Sequence, residues 1–194
     1  MDICSVGIDG NEVIYASAGT TANPPLVLVH GWGASHKIWR EIIPHFQHRY
    51  RIIALDLPGF GLSAKPNQWD YSMPGLAELL GRFLDALAIS SCDLVGHSMG
   101  GSLSLRFALH HPERVKRLCV VNPPIRGKEA FNTFQRFAAW PGMRRIAHWG
   151  FKFHTIRRWI AKDFTHVAPL DDERVDDLAC GTYRSITQSV RSMM

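Results

Sequence analysis

The stretch Gly96-His97-Ser98-Met99-Gly100-Gly101 decides how the rest of this 194-residue chain is read. It follows Cys92-Asp93-Leu94-Val95, a short apolar run that predicts a strand, and it opens a helical pattern that runs from Met99 to His110 and stops before Pro112. A serine between a strand and a helix has to sit on a sharp turn. Such a turn crowds its neighbours, so the positions two before and two after it favour residues without a Cβ. Gly96 and Gly100 occupy them. The helix that starts here aims its unpaired N–H groups and the positive end of its dipole at the turn. Ser98 is therefore the candidate nucleophile, with its hydroxyl projecting above the sheet edge.

Working outward, the same alternation of strand and helix continues. Residues 3–8 and 12–18 flank Asp9-Gly10, a hairpin turn. Leu26-Val27-Leu28-Val29 is a continuous apolar run that predicts a strand buried on both faces, and Arg51-Ile52-Ile53-Ala54-Leu55 predicts the next buried strand. Residues 36–46 predict a helix with Ile38, Trp39, Ile42 and Ile43 on one side. Residues 74–88 predict a strong helix, with Pro74 in its first turn and Leu76, Leu79, Leu80, Phe83, Leu84 and Leu87 at three-and-four spacing. Arg117-Leu118-Cys119-Val120-Val121 is a further strand. The order predicts an α/β protein: a mostly parallel sheet opened by an antiparallel hairpin, with helices on both faces. Beyond Pro123-Pro124 no strand is convincing, and the remainder is helical in pattern and rich in Phe and Trp. The chain divides into a core, residues 1–123, and a helical cap, residues 124–194.

Composition fits that reading. With 46% hydrophobic and 20% charged residues the chain is neither a disordered tail nor a membrane bundle. The start, Met1-Asp2-Ile3-Cys4, carries no basic flank and no apolar run, so no secretory signal is expected and the chain is assigned to the cytoplasm. Cys4, Cys92, Cys119 and Cys180 lie far apart without metal-ligand spacing. They are expected to be reduced, mostly buried thiols, and no metal is implied. Residues 1–123 carry ten Lys+Arg and ten Asp+Glu, so the formal net charge of +5 belongs to the remainder. A solvated helical face explains that excess. No recognition element or base-stacking platform accompanies it, so no nucleic-acid partner is expected.

Two more landmarks lie at strand ends. His30-Gly31-Trp32-Gly33 follows the strand at 26–29 and can turn backbone N–H groups toward a ligand oxygen. Asp56-Leu57-Pro58-Gly59-Phe60-Gly61-Leu62-Ser63 follows the strand at 51–55 and is better suited to shaping a crevice than to doing chemistry. All three segments sit at carboxyl ends of strands, where open α/β sheets place their ligands. In these motifs, in this order, residues 1–125 resemble the α/β-hydrolase fold family of HG-x-G and GxSxG type. That group includes small esterases, lipases, C–C hydrolases and cofactor-free perhydrolases. The resemblance implies that Ser98 is the nucleophile and that the backbone N–H groups of Met99 and Trp32 form the oxyanion hole. It gives His30 a structural role beside that hole. Gly31, Gly33, Gly96, His97 and Gly100 support the motifs, and His97 is expected to point away from the chemistry. No cofactor is implied.

A serine needs an imidazole to take its proton and a carboxylate to orient that imidazole. In this fold they follow in the order Ser, Asp or Glu, His. After Ser98 the histidines are His110, His111, His148, His154 and His166, and the acid cluster Asp171-Asp172-Glu173 and Asp176-Asp177 comes after all of them. The order is wrong. The chain is therefore expected to be an amino-terminal portion of a serine hydrolase, stopping in the cap before its acid and base. The alternative base is a cap histidine, His148 or His154. A stop there leaves the strand at 117–121 as a bare edge, which favours aggregation or a complementing chain. The expected function is hydrolysis of an ester or related carbonyl compound through an acyl-enzyme. The alternative is a catalytically incompetent fragment that binds a hydrophobic ligand or pairs with a partner. Between residues 143 and 160, Arg144, Arg145, Lys152, Arg157 and Arg158 interleave with Ile146, Trp149, Phe151, Phe153, Ile156 and Trp159. That pattern predicts an apolar roof for a small hydrophobic carbonyl substrate. A membrane-touching surface is the less favoured reading.

Overall fold

The computed structural model describes residues 1–124 together with 188–189. Among these, six strands form one mixed sheet: β1 (Asp2–Ile8), β2 (Asn11–Ala18), β3 (Pro25–Val29), β4 (Arg51–Leu55), β5 (Cys92–His97) and β6 (Val115–Val121). Their spatial order is β1-β2-β4-β3-β5-β6. The hairpin β1–β2 and the pair β2–β4 are antiparallel, and β4, β3, β5 and β6 run parallel. The sheet predicted from the alternation of patterns is the one formed.

The two central runs show why residues 26–29 and 52–55 are all apolar. Val27 and Val29 of β3, with Ile53 and Leu55 of β4, point into one hydrophobic cluster. Leu26 and Leu28, with Ile52 and Ala54, point into another on the opposite face. Period-two alternation delivers an apolar side chain to each layer in turn. On the first face lie α2 (Met73–Ala86) and α3 (Met99–His110). Leu76, Leu79, Leu80, Phe83 and Leu84 of α2 are fully buried, each worth roughly 1.5–3 kcal/mol relative to exposure. Ser72 caps α2, its Oγ accepting from the Gly75 amide at 3.2 Å, and Pro74 stands in the first turn, where its missing N–H costs no bond. Asp70 braces that cap by accepting from the Ser72 amide and hydroxyl, both at 2.9 Å, and from Gln188 Nε2 at 3.0 Å.

The second face is covered differently from the expectation. Residues 36–46 do not make one helix. A 3-10 turn spans His36–Trp39, and a single α-helical turn, α1 (Ile43–Phe46), follows. Pro44 has no N–H to give to the carbonyl of Arg40, so a continuous helix cannot pass through it. The kink also splits the expected apolar side. Trp39 and Ile43 are buried, whereas Ile38 and Ile42 are exposed.

The cysteines are corrected too. Cys92 is buried and its thiol is pushed up to about 12 by burial, but Cys4 is half-buried and Cys119 exposed. All three are free thiols, and Cys180 lies outside the described residues. Cys119 is open because β6 is hydrogen-bonded to β5 alone among the described strands, and each of its residues is half-buried or exposed. The expected cap, residues 124–194, lies outside the described residues apart from 124 and 188–189.

Candidate active site

Strand β5 passes into α3 through one residue. Ser98 has φ 52° and ψ −121°, a backbone conformation that L-residues other than glycine seldom adopt. Holding it costs of order 1–3 kcal/mol, and the surroundings impose it. The Ser98 amide donates to the Val121 carbonyl of β6 at 2.8 Å. The Ser98 carbonyl accepts from the amides of Gly101 at 2.8 Å and Ser102 at 3.2 Å. The glycines on either side matter for space. A Cβ on Gly96 would lie 2.6 Å from both the Gly100 carbonyl carbon and Ser104 Oγ. A Cβ on Gly100 would run into the carbonyl oxygens of Val29 and His30. The first turn of α3 thus presses directly on the end of β3. Ser98 is half-buried and its side chain makes no capping bond to the helix. Met99 fills the first helical position, where an amide has no carbonyl four residues back to bond.

Beside the elbow lies the turn after β3. His30 is fully buried. Its Nε2 accepts from the Leu57 amide at 3.0 Å, which leaves the proton on Nδ1, and Nδ1 donates to the Gly31 carbonyl at 2.7 Å. Burial holds the imidazole pKa below its ordinary value, against the pull of Asp56, so the ring stays neutral. The Gly31 carbonyl and the Trp32 N–H belong to one planar peptide and point in opposite directions. Pinning the first therefore aims the second. Gly31 packs closely on the elbow, since a Cβ there would lie 3.0 Å from Ser98 Cβ. Gly33 carries φ 70°, which the turn needs to bring the Ala34 amide back to the Gly31 carbonyl at 3.3 Å. Sequence reading placed His30 beside this turn in a structural role, and both of its ring nitrogens are used there.

The turn after β4 holds what sequence reading missed. Asp56 is fully buried and is a hub. Its carboxylate accepts from the His36 amide, from His36 Nδ1 at 3.0 Å and from the Leu62 amide at 2.8 Å. Ser63 Oγ donates to the Asp56 carbonyl at 2.6 Å and accepts from the Ile14 amide at 2.8 Å. Gly61, at φ 51°, leaves room for the carboxylate. Burial raises the pKa of this carboxyl, but the His36 hydrogen bond, the nearby imidazoles of His30 and His36, and the Leu62 amide outweigh it. The group is held below the ordinary carboxylate range. The signal was present: an acid directly after a buried strand, in a turn of glycines and a serine whose amides need an acceptor. Only its partner, His36, was out of reach, twenty residues upstream.

The remaining candidates are dispersed. His97 ends β5, half-buried, with Nδ1 buried near Gly31. His110 and His111 stand at the far end of α3, about 16 Å along its axis from Met99. His110 Nδ1 there donates to the Arg106 carbonyl at 2.9 Å. His148, His154, His166, Asp171, Asp172, Glu173, Asp176 and Asp177 lie outside the described residues. Among the described residues, no helix is long and apolar enough to cross a membrane.

Comparison with known proteins identifies the family. A family model described as alpha/beta hydrolase fold matches residues 24–164. A pimeloyl-[acyl-carrier protein] methyl ester esterase of Aeromonas hydrophila is 43% identical over 98 residues, 50% of this chain and 37% of that protein. Epoxide hydrolase 3 of Xenopus tropicalis is 39% identical over 111 residues, 57% of this chain and 30% of that protein. Among solved structures, a membrane phospholipase A described as a bacterial virulence factor superposes with a TM-score of 0.72 at 28% identity, over 97% of this chain and 59% of that one. The match to the two curated relatives thus spans about a third of their length.

Proposed function

Because the chain belongs to the α/β hydrolase fold family, we propose that it carries the nucleophile and oxyanion hole of a serine hydrolase acting on an ester or related carbonyl substrate. The observation that carries this reading is the left-handed backbone of Ser98 at the junction of β5 and α3, with Gly31 packed against its Cβ. In this proposal the Ser98 hydroxyl loses its proton to a general base as Oγ bonds to the carbonyl carbon. The carbonyl oxygen takes up negative charge between the amides of Trp32 and Met99. Collapse expels the leaving oxygen, which takes the proton from the base and leaves an acyl group on Ser98. Water, activated in the same way, then releases the acid. His30 contributes by fixing the Trp32 peptide.

The base is not drawn from the histidines already engaged. His30 uses both ring nitrogens, His36 is held by Asp56, and His110 and His111 stand at the far end of α3. The proposal therefore takes acid and base from beyond the described residues. It assigns residues 124–194 to a cap whose apolar side chains favour a hydrophobic substrate. A relative named as a methyl ester esterase supports the ester class. The experiment is labelling with a fluorophosphonate probe, with Ser98→Ala as control. Labelling that disappears in Ser98→Ala supports an activated serine. A chain that takes no label, yet is stabilised by hydrophobic carbonyl compounds, is a ligand-binding module instead.

A further inference from the structure

One side chain of the elbow has no task in the mechanism above. His97 is the last residue of β5, opposite Val121 of β6. Its Nδ1 is buried and, among the described residues, has no hydrogen-bond partner. An unpaired buried nitrogen is unfavourable, so Nδ1 serves here by the space it fills and not by a hydrogen bond. Burial also lowers its pKa, which keeps the ring neutral and compact in that packing. The contact it makes is specific. A Cβ on Gly31 would lie 3.2 Å from His97 Nδ1 and 3.3 Å from the His97 carbonyl oxygen, beside the 3.0 Å approach to Ser98 Cβ. The glycine turn therefore runs too close to two consecutive residues of the elbow to admit a side chain, with the imidazole forming one wall of that space. The very next amide along that turn is that of Trp32.

We propose that His97 is a positioning residue: its imidazole seats Gly31 at the separation that puts the Trp32 amide opposite the Ser98 hydroxyl. The proposal rests on the serine-hydrolase reading for its catalytic consequence, but the seat itself can be tested without catalysis. His30 sets which way the Trp32 amide points; His97 sets how far it stands from the nucleophile. Neither touches substrate.

The test has two arms on the full chain. In the first, thermal denaturation is measured for Gly31→Ala, His97→Ala and the double variant. Gly31→Ala lowers Tm, and in the His97→Ala background that loss shrinks by about a third or more, because one wall of the seat has gone. Strictly additive losses overturn the proposal. His97→Ser, which also removes the ring, closes the cycle if the alanine variant does not fold. In the second arm the fluorophosphonate reaction is followed over probe concentration. His97→Ala lowers the maximal labelling rate about tenfold with half-saturation unchanged. His97→Asn, which keeps an atom near the place of Nδ1, restores most of it. Labelling of His97→Ala at the wild-type rate, or no rescue by asparagine, overturns the positioning role. A wild-type chain that does not label at all shows that this chain holds no activated serine, and the thermal cycle then decides the seat.

Discussion

Two of the tight turns that hold a non-glycine residue at nearly the same φ do so for opposite reasons. In the hairpin between β1 and β2, Asp9 has φ 50° and Gly10 has φ 74°. Nothing lies within 4 Å of where a Gly10 Cβ would be, and the Asp9 carbonyl is satisfied locally by Asn11 Nδ2 at 2.9 Å. The dihedrals of that turn are the preference of its own residues, since aspartate tolerates the left-handed region and glycine prefers it, and the ion pair of Asp9 with Arg82 Nε at 3.1 Å is exposed. At the elbow, Ser98 has φ 52°, and serine has no such tolerance. There the conformation is imposed from outside, by a sheet bond to β6 and by glycines that let α3 press on β3. The same dihedral is a local preference in one place and stored strain in the other. The turn around Asp56 is a third kind, held by a buried charge.

The contrast predicts a graded series of effects. Gly100→Ala is the most severe, because its new Cβ meets backbone oxygens that cannot move aside. A loss of about 3 kcal/mol or more is expected in urea unfolding, or failure to accumulate soluble protein. A loss under about 1 kcal/mol would mean that the elbow is not held by packing. Asp56→Asn comes next, at about 2–3 kcal/mol near neutral pH, because it leaves donors around the turn poorly matched. It alone of the series depends on pH. The folded pKa of Asp56 is depressed, so its contribution is complete above the unfolded value of about 4 and is lost as pH falls through the folded value. The stability gap between wild type and Asp56→Asn should therefore close below about pH 4. A gap constant down to acid unfolding would show that the charge does not hold this turn. Ser98→Gly has the opposite sign. Relief of strain should raise stability by about 1 kcal/mol while fluorophosphonate labelling is abolished. A destabilised glycine variant would mean that Ser98 is not strained. Last come the hairpin changes. Gly10→Ala should cost about 1 kcal/mol from its φ alone, and Asp9→Asn should stay within about 0.5 kcal/mol. Thermal denaturation resolves both. A Gly10→Ala loss as large as that of Gly100→Ala would erase the distinction between the two turns.

Much of the sheet was legible because its signals are short-range. The runs at 26–29 and 51–55 read as buried strands, and Pro74 and the leucine spacing announced α2. The helix expected over 36–46 failed for a reason also present in the sequence. Pro44 outweighs an apolar spacing that suggested one continuous face. Cys119 was misjudged because an apolar stretch does not reveal how many neighbours its strand has. At the site, Ser98, Gly96 and Gly100 were readable as a motif, since a strand, a serine and two glycines imply the turn. The Asp56–His36 pair was not, because twenty residues and a strand separate two groups that meet only when β3 and β4 lie side by side.

The sequence by itself determined where the chain bends and which faces are apolar, since dihedral preference and hydrophobic period act over a few residues. The tertiary structure alone decided which turn residues touch. That Gly31 rests on His97 and Ser98, that His30 grips the Leu57 amide, and that Asp56 finds His36 are consequences of parallel strands bringing three loops to one end of the sheet. Close packing of backbone on backbone depends on distances in space that no local pattern records.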